Sequence, residues 1–136
     1  MDEGLALRLC ALTGEFYRAN AESFSQTRQS PWQGWVRLLE VTGLAGGKGP
    51  LCVLDLACGN LRFERYLADA LPGRMLSGYA VDNCDPLVET GERNGADALS
   101  RIAFQSLDAI ERLSAGCLRE SLEAPDALCD LAVSFG

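Results

Sequence analysis

From residue 51 to residue 135 short apolar runs alternate with amphipathic stretches, and this alternation constrains the fold more than any other feature. Leu51–Leu56, Met75–Val81, Ile102–Ser106 and Ala127–Phe135 read as strands. Between them Leu61–Leu71, Pro86–Asn94 and Ala109–Leu122 read as helices. Pro72-Gly73 stops the first helix, and Asp85 stands where a cap would start the second. Parallel strands need long crossovers, and these intervening helices supply them. The pattern therefore predicts an α/β fold: a parallel sheet with helices on both faces. Crossovers of this kind are right-handed, which leaves few topologies. The order 3-2-1-4 would place a switch point between the first and fourth strands, where ligands bind at the carboxyl ends.

The first 45 residues read as helical. Leu5, Leu9, Leu12, Phe16 and Tyr17 recur at helical spacing. A break is expected near residues 23–30. Ser30-Pro31 then offers a cap and a first-turn proline for a second helix. Trp32, Trp35, Val36 and Leu39 give that helix an apolar face, and the two tryptophans are read as core. Gly43 is its expected stop, and GLAGGKGP is a connector. The chain thus divides into a helical cap, residues 1–46, and a sheet domain, residues 47–136.

Composition is that of a globular protein, and no apolar run is long enough to span a bilayer. The acidic N-terminus lacks the basic segment and apolar core of a signal peptide, so the expected location is cytoplasmic. The six cysteines form no closely spaced pair and the chain has no histidine, which argues against zinc. A leaderless chain is not expected to carry a disulfide framework. Cys52 and Cys129 lie in apolar runs and read as small core residues. The net charge of −7 does not favour nucleic acid as a partner, though it leaves that class open.

The chemistry concentrates in VLDLACGNLRF. A strand runs into Asp55, then into the small residues Ala57, Cys58 and Gly59, then into a helix. Small residues let a ligand approach the backbone, and a helix start offers free N–H groups. The second strand ends at Asp82, 23 residues after Gly59, where a carboxylate can accept hydrogen bonds from ribose hydroxyls. A dinucleotide fingerprint would need glycine at positions 57, 59 and 62, and only Gly59 fits. A phosphate-binding P-loop fails too, because Gly47-Lys48 precedes the strand and Gly49 follows it. Cys58 has no histidine to activate it and reads as inert.

VLDLACGNLRF resembles motif I of class I S-adenosylmethionine-dependent methyltransferases. YAVDNCD resembles their second motif, FQSLDAIE the third, and PDALCDLAVSFG the fourth. The four stand in the family's order over residues 51–136. The resemblance implies a Rossmann-like sheet binding S-adenosylmethionine or S-adenosylhomocysteine. It would put Asp55, Ala57, Cys58 and Gly59 at the methionine and ribose end, and Asp82 on the ribose hydroxyls. Asn83 would flank the adenine, and Leu107 would pack near the ring. Asp108 would meet the adenine amino group besides capping a helix, and Phe135 and Gly136 would lie beside the cofactor. Leu61 departs from the family, which commonly has a glycine there. Upstream, Phe24-Ser25-Gln26-Thr27-Arg28 with Pro31-Trp32 is similar to a segment of tRNA wobble-uridine carboxymethyl methyltransferases and their bacterial relatives. Arg28 could then pair with the cofactor carboxylate.

The expected function is S-adenosylmethionine-dependent methyl transfer, with the acceptor, a tRNA or a small molecule, unassigned and no catalytic residue named. The alternative is a noncatalytic cofactor-binding fragment or subunit completed by a partner chain. Because the sequence stops after the fourth strand, the sheet is expected to be truncated there and inactive alone. Its exposed apolar edge could pair with a second copy.

Overall fold

The computed structural model describes residues 2–95, 97–126 and 128–135. A helical segment opens the chain: α1 (Glu3–Thr27), α2 (Gly34–Thr42) and a 3-10 turn (Leu44–Gly46). There follow β1 (Leu51–Leu56), α3 (Arg62–Ala70), β2 (Leu76–Asp82), α4 (Asp85–Gly95), β3 (Ile102–Ser106), α5 (Ala109–Ser114), α6 (Leu118–Ser121) and β4 (Leu131–Val133). The four strands form one sheet, all parallel, in the order β3-β2-β1-β4. The α/β class and the parallel sheet are as the alternation predicts, and the strand order is the expected 3-2-1-4.

Side chains alternate across the sheet, and the two faces of β1 differ. Leu51, Val53 and Asp55 are buried, whereas Cys52, Leu54 and Leu56 are half-buried. The buried face carries α2 and α3, with Trp35, Leu39, Phe63, Leu67 and Leu71 against Leu51, Val53 and Leu76. Ala80, on the same face of β2 as Leu76, packs with Val88 of α4. Consecutive right-handed crossovers put α3 and α4 together in this way. The opposite face of β1 is covered only in part, so the expectation of helices on both faces is met unevenly. Gly78 brings β2 close to β1: at its φ of +148° a Cβ would fall 1.8 Å from the carbonyl oxygen of Val53.

Several boundaries differ from the sequence reading. α1 is not broken at Ser23; it runs to Thr27 with a single non-helical residue at Asn20, whose amide Nδ2 donates to Phe16 O. Only its second half docks, through Tyr17, Ala21 and Phe24 against Cys84 and Leu87. Leu5, Leu9, Leu12 and Phe16 stand exposed. α2 starts at Gly34 rather than at Ser30-Pro31, because Trp32 folds back over Gly34 and meets Trp35 and Phe135. Trp35 is core, but Trp32 is 57% exposed. Gly43 ends α2 in the left-handed region, as expected.

The single helix expected over Ala109–Leu122 is two helices. Gly116 takes a φ of +70°, and Cys117 N donates to Arg112 O to close the first. β4 covers three residues instead of nine, and Asp130 interrupts the ladder ahead of it. Its N–H donates to Cys52 O, but its carboxylate, not a backbone carbonyl, receives Cys52 N–H. Ala127, in the expected strand, and Gly136, in the expected site, lie outside the described residues.

Candidate functional site

The loop from β1 to α3 is wound by three residues with positive φ at alternate positions: Ala57 (66°), Gly59 (56°) and Leu61 (57°). The N–H groups of Ala57 and Cys58 both donate to Val81 O at the end of β2. Leu61 thus adopts the conformation that favours glycine. A left-handed residue costs about 1–2 kcal/mol, and burying a leucine side chain returns about 1.5–3 kcal/mol. Leu61 is 2% exposed among Ala80, Val88 and Leu99, so burial outweighs the backbone cost.

Asp82 ties this loop to the next. Its Oδ2 accepts from Gly59 N at 2.8 Å and its Oδ1 from Cys84 N at 2.8 Å. Leu107 N donates to Asp82 O, which brings in the end of β3. Asp108 caps α5 by accepting from Glu111 N at 2.9 Å, and its other oxygen accepts from Asn83 Nδ2 at 3.1 Å. Gly59, Asp82, Asn83, Leu107 and Asp108 therefore form one hydrogen-bonded cluster at the carboxyl ends of β1, β2 and β3. Asp82 and Asp108 are half-buried and Asn83 is exposed.

Asp55 sits beneath the loop, 2% exposed, and its carboxyl meets that of Glu64 on α3, itself 1% exposed. If both were ionised, Asp55 Oδ1 and both Glu64 oxygens would lack any donor. One shared proton lessens that conflict by letting one carboxyl donate to the other. Burial, and then the neighbouring Glu64, push Asp55 up to about 10. Burial raises Glu64 as well. Cys58 is buried, and its thiol is raised by burial first and then by Glu64, Asp82 and Asp55, so it is held protonated.

The N-terminal segment reaches the same loop. Asn60 Nδ2 donates to Ser25 Oγ and to Arg28 O, both at 3.1 Å, and Thr90 Oγ1 donates to Ser25 Oγ at 2.8 Å. Arg28 is exposed with its guanidinium over the Phe24 ring. Arg62 lies over the Trp35 ring at 5.0 Å, and its pKa is lowered by burial, then by Arg28 and Arg65. Among the described residues none of these three arginines has a carboxylate within ion-pair distance. Phe135, 39% exposed, packs on Phe63, Trp35 and Trp32 beside α3, away from Asp82 and Asp108 in the contacts it makes.

Two cavities lie elsewhere. One of about 310 Å³ is lined by Leu61, Glu92, Leu99, Ser100, Ile102 and Phe104. One of about 220 Å³ lies on the half-covered face, between Leu54, Leu122, Pro125 and Cys129. Neither is lined by Asp55, Asp82 or Asp108. Among the described residues no cluster of three or more His, Cys, Asp or Glu side chains could hold a metal ion, and no helix is long and apolar enough to cross a membrane.

Sequence reasoning missed Glu64, Arg62 and Ser25. Glu64 shares a helical face with Leu67 and Leu71, and that spacing was its signal. Ser25 sits on an ordinary helix, and only the fold brings Asn60 and Thr90 to it. No family model, no curated protein and no solved structure matches this chain.

Proposed function

We propose that the chain binds S-adenosylmethionine at the carboxyl ends of β1, β2 and β3 and serves S-adenosylmethionine-dependent methyl transfer. The observation that carries the reading is the Asp82 carboxylate receiving Gly59 N–H, which sets an acceptor at the end of β2 directly beside the turn after β1. A carboxylate has about four acceptor directions, and backbone N–H groups take two at Asp82. The remaining directions suit two ribose hydroxyls. Asn83 next to Asp82 and Asp108 after β3, bonded to each other, suit the polar edge of an adenine.

Arg28 and Arg62 suit the cofactor carboxylate. A guanidinium without an ion-pair partner gains most from such a ligand, and two that repel each other gain more. The half-buried Asp82 carboxylate beside the loop favours a cationic sulfonium. When bound, the cofactor supplies an electrophilic methyl group. What this chain contributes is grip and orientation: Asp82 and Asp108 fix the nucleoside, and the arginines fix the amino-acid end.

Titration with S-adenosylhomocysteine in a calorimeter tests the reading. One saturable site per chain is expected, and Arg28→Ala should weaken it roughly 10- to 100-fold, the worth of a charge-assisted hydrogen bond. Absence of binding would overturn the proposal. Binding that Arg28→Ala leaves unchanged would remove Arg28 from the site.

A further inference from the structure

Cys52 and Cys129 are 77 positions apart in the chain, yet their sulfurs lie 3.6 Å apart. Neither is the enclosed core residue that its apolar neighbours suggest; both are half-buried. Cys52 lies on the half-covered face of β1. Cys129 lies two residues before β4 and lines the 220 Å³ cavity there, so a small neutral molecule can reach its side chain. Around them the backbone is already fixed. Asp130 N donates to Cys52 O at 2.8 Å, and Cys52 N donates to Asp130 Oδ2 at 2.9 Å.

We infer that Cys52 and Cys129 are a redox-sensitive dithiol, which a peroxide converts to a disulfide that staples the edge strand β4 to β1. The sulfurs must close to about 2.0 Å, a movement within reach of side-chain rotation. The thiolate of one cysteine attacks a peroxide oxygen and the O–O bond breaks. The departing hydroxide takes a proton and leaves as water, and a sulfenic acid remains. The second sulfur displaces the sulfenic oxygen as another water and forms the S–S bond. Two thiols and one hydrogen peroxide thus become one disulfide and two waters.

The other cysteines offer no such pair. Cys10 is exposed on α1, Cys58 and Cys84 are buried in separate clusters, and Cys117 contacts Ser121. Burial, then Cys52, pushes the Cys129 thiol up to about 11. The reaction is therefore slow at neutral pH and accelerates as pH rises.

The test uses the full chain carrying Cys10→Ala, which removes the exposed thiol. The protein is treated with hydrogen peroxide at pH 8, remaining thiols are alkylated, and peptides are mapped by mass spectrometry. A Cys52–Cys129 peptide pair that dithiothreitol separates is expected. Closing so long a loop should raise the melting temperature by roughly 5–15 °C. Amide exchange across Asp130–Val133 should slow. Cys129→Ser should abolish all three effects. Linkage of any other pair, or alkylation of both Cys52 and Cys129 after oxidant has consumed other thiols, would overturn the inference.

Discussion

Asp82 carries more of the site than any other single side chain. Each of its oxygens holds a backbone N–H, one in the loop after β1 and one at the start of α4. Asp82→Asn keeps the size but leaves one carbonyl oxygen and removes the charge, so the N–H of Gly59 or of Cys84 loses its acceptor. We expect a loss of about 1–3 kcal/mol in urea denaturation, together with a large loss of S-adenosylhomocysteine affinity. Unchanged stability would mean that water replaces the carboxylate at little cost. The importance of Asp82 is legible in the sequence, because a carboxylate at a strand end after a glycine-bearing turn has few local uses. Asp55 is different. Its place at the end of the first strand suggests ligand contact, but the fold encloses it against Glu64. Nothing in a strand's alternation says which helix residue will meet its buried face.

At the scale of elements, the turn between β1 and α3 holds strain at two non-glycine residues. Ala57 is exposed at a φ of 66° and has no buried side chain to offset its backbone conformation. Ala57→Gly should therefore stabilise the protein by up to about 1 kcal/mol, read as a shift in denaturation midpoint with unchanged slope. A destabilised Ala57→Gly variant would show that unfolded-chain entropy outweighs strain at this turn. The short elements at the far end of the chain behave otherwise. Gly116 divides what periodicity reads as one helix into α5 and α6. Gln105 then holds α6 near β3, donating to Ser121 O and accepting from Glu123 N. A glycine inside an amphipathic run is compatible with either one helix or two. Here the bonds to Gln105 accompany the division.

For the whole molecule, the enclosed Asp55–Glu64 pair links stability to pH. The folded protein keeps a proton that the unfolded chain releases near pH 4, and it gives that proton up only around pH 10. The contribution is complete below the unfolded pKa and is lost as pH rises through that interval. The slope reaches about 1.4 kcal/mol per pH unit for one proton. Thermal melts from pH 5 to 9 should show stability falling with pH. Glu64→Gln supplies a permanent donor to Asp55 and should flatten the dependence; equal slopes in both proteins would refute the shared proton. Because the pair lies between β1 and α3, its ionisation would be felt by the sheet and by the candidate site together.

The sequence by itself determined the alternation of strands and helices, and with it the parallel sheet. Those follow from local apolar patterning and from the handedness of crossovers, both written in short stretches of chain. It also placed Gly59, Asp82, Asn83 and Asp108 at strand ends, which is why they come together. Only the tertiary structure decided which groups far apart in the chain face each other. Ser25 met Asn60 and Thr90, Glu64 met Asp55, and Cys52 met Cys129. Such pairings depend on the depth and rotation of each helix against the sheet, which packing sets and periodicity does not.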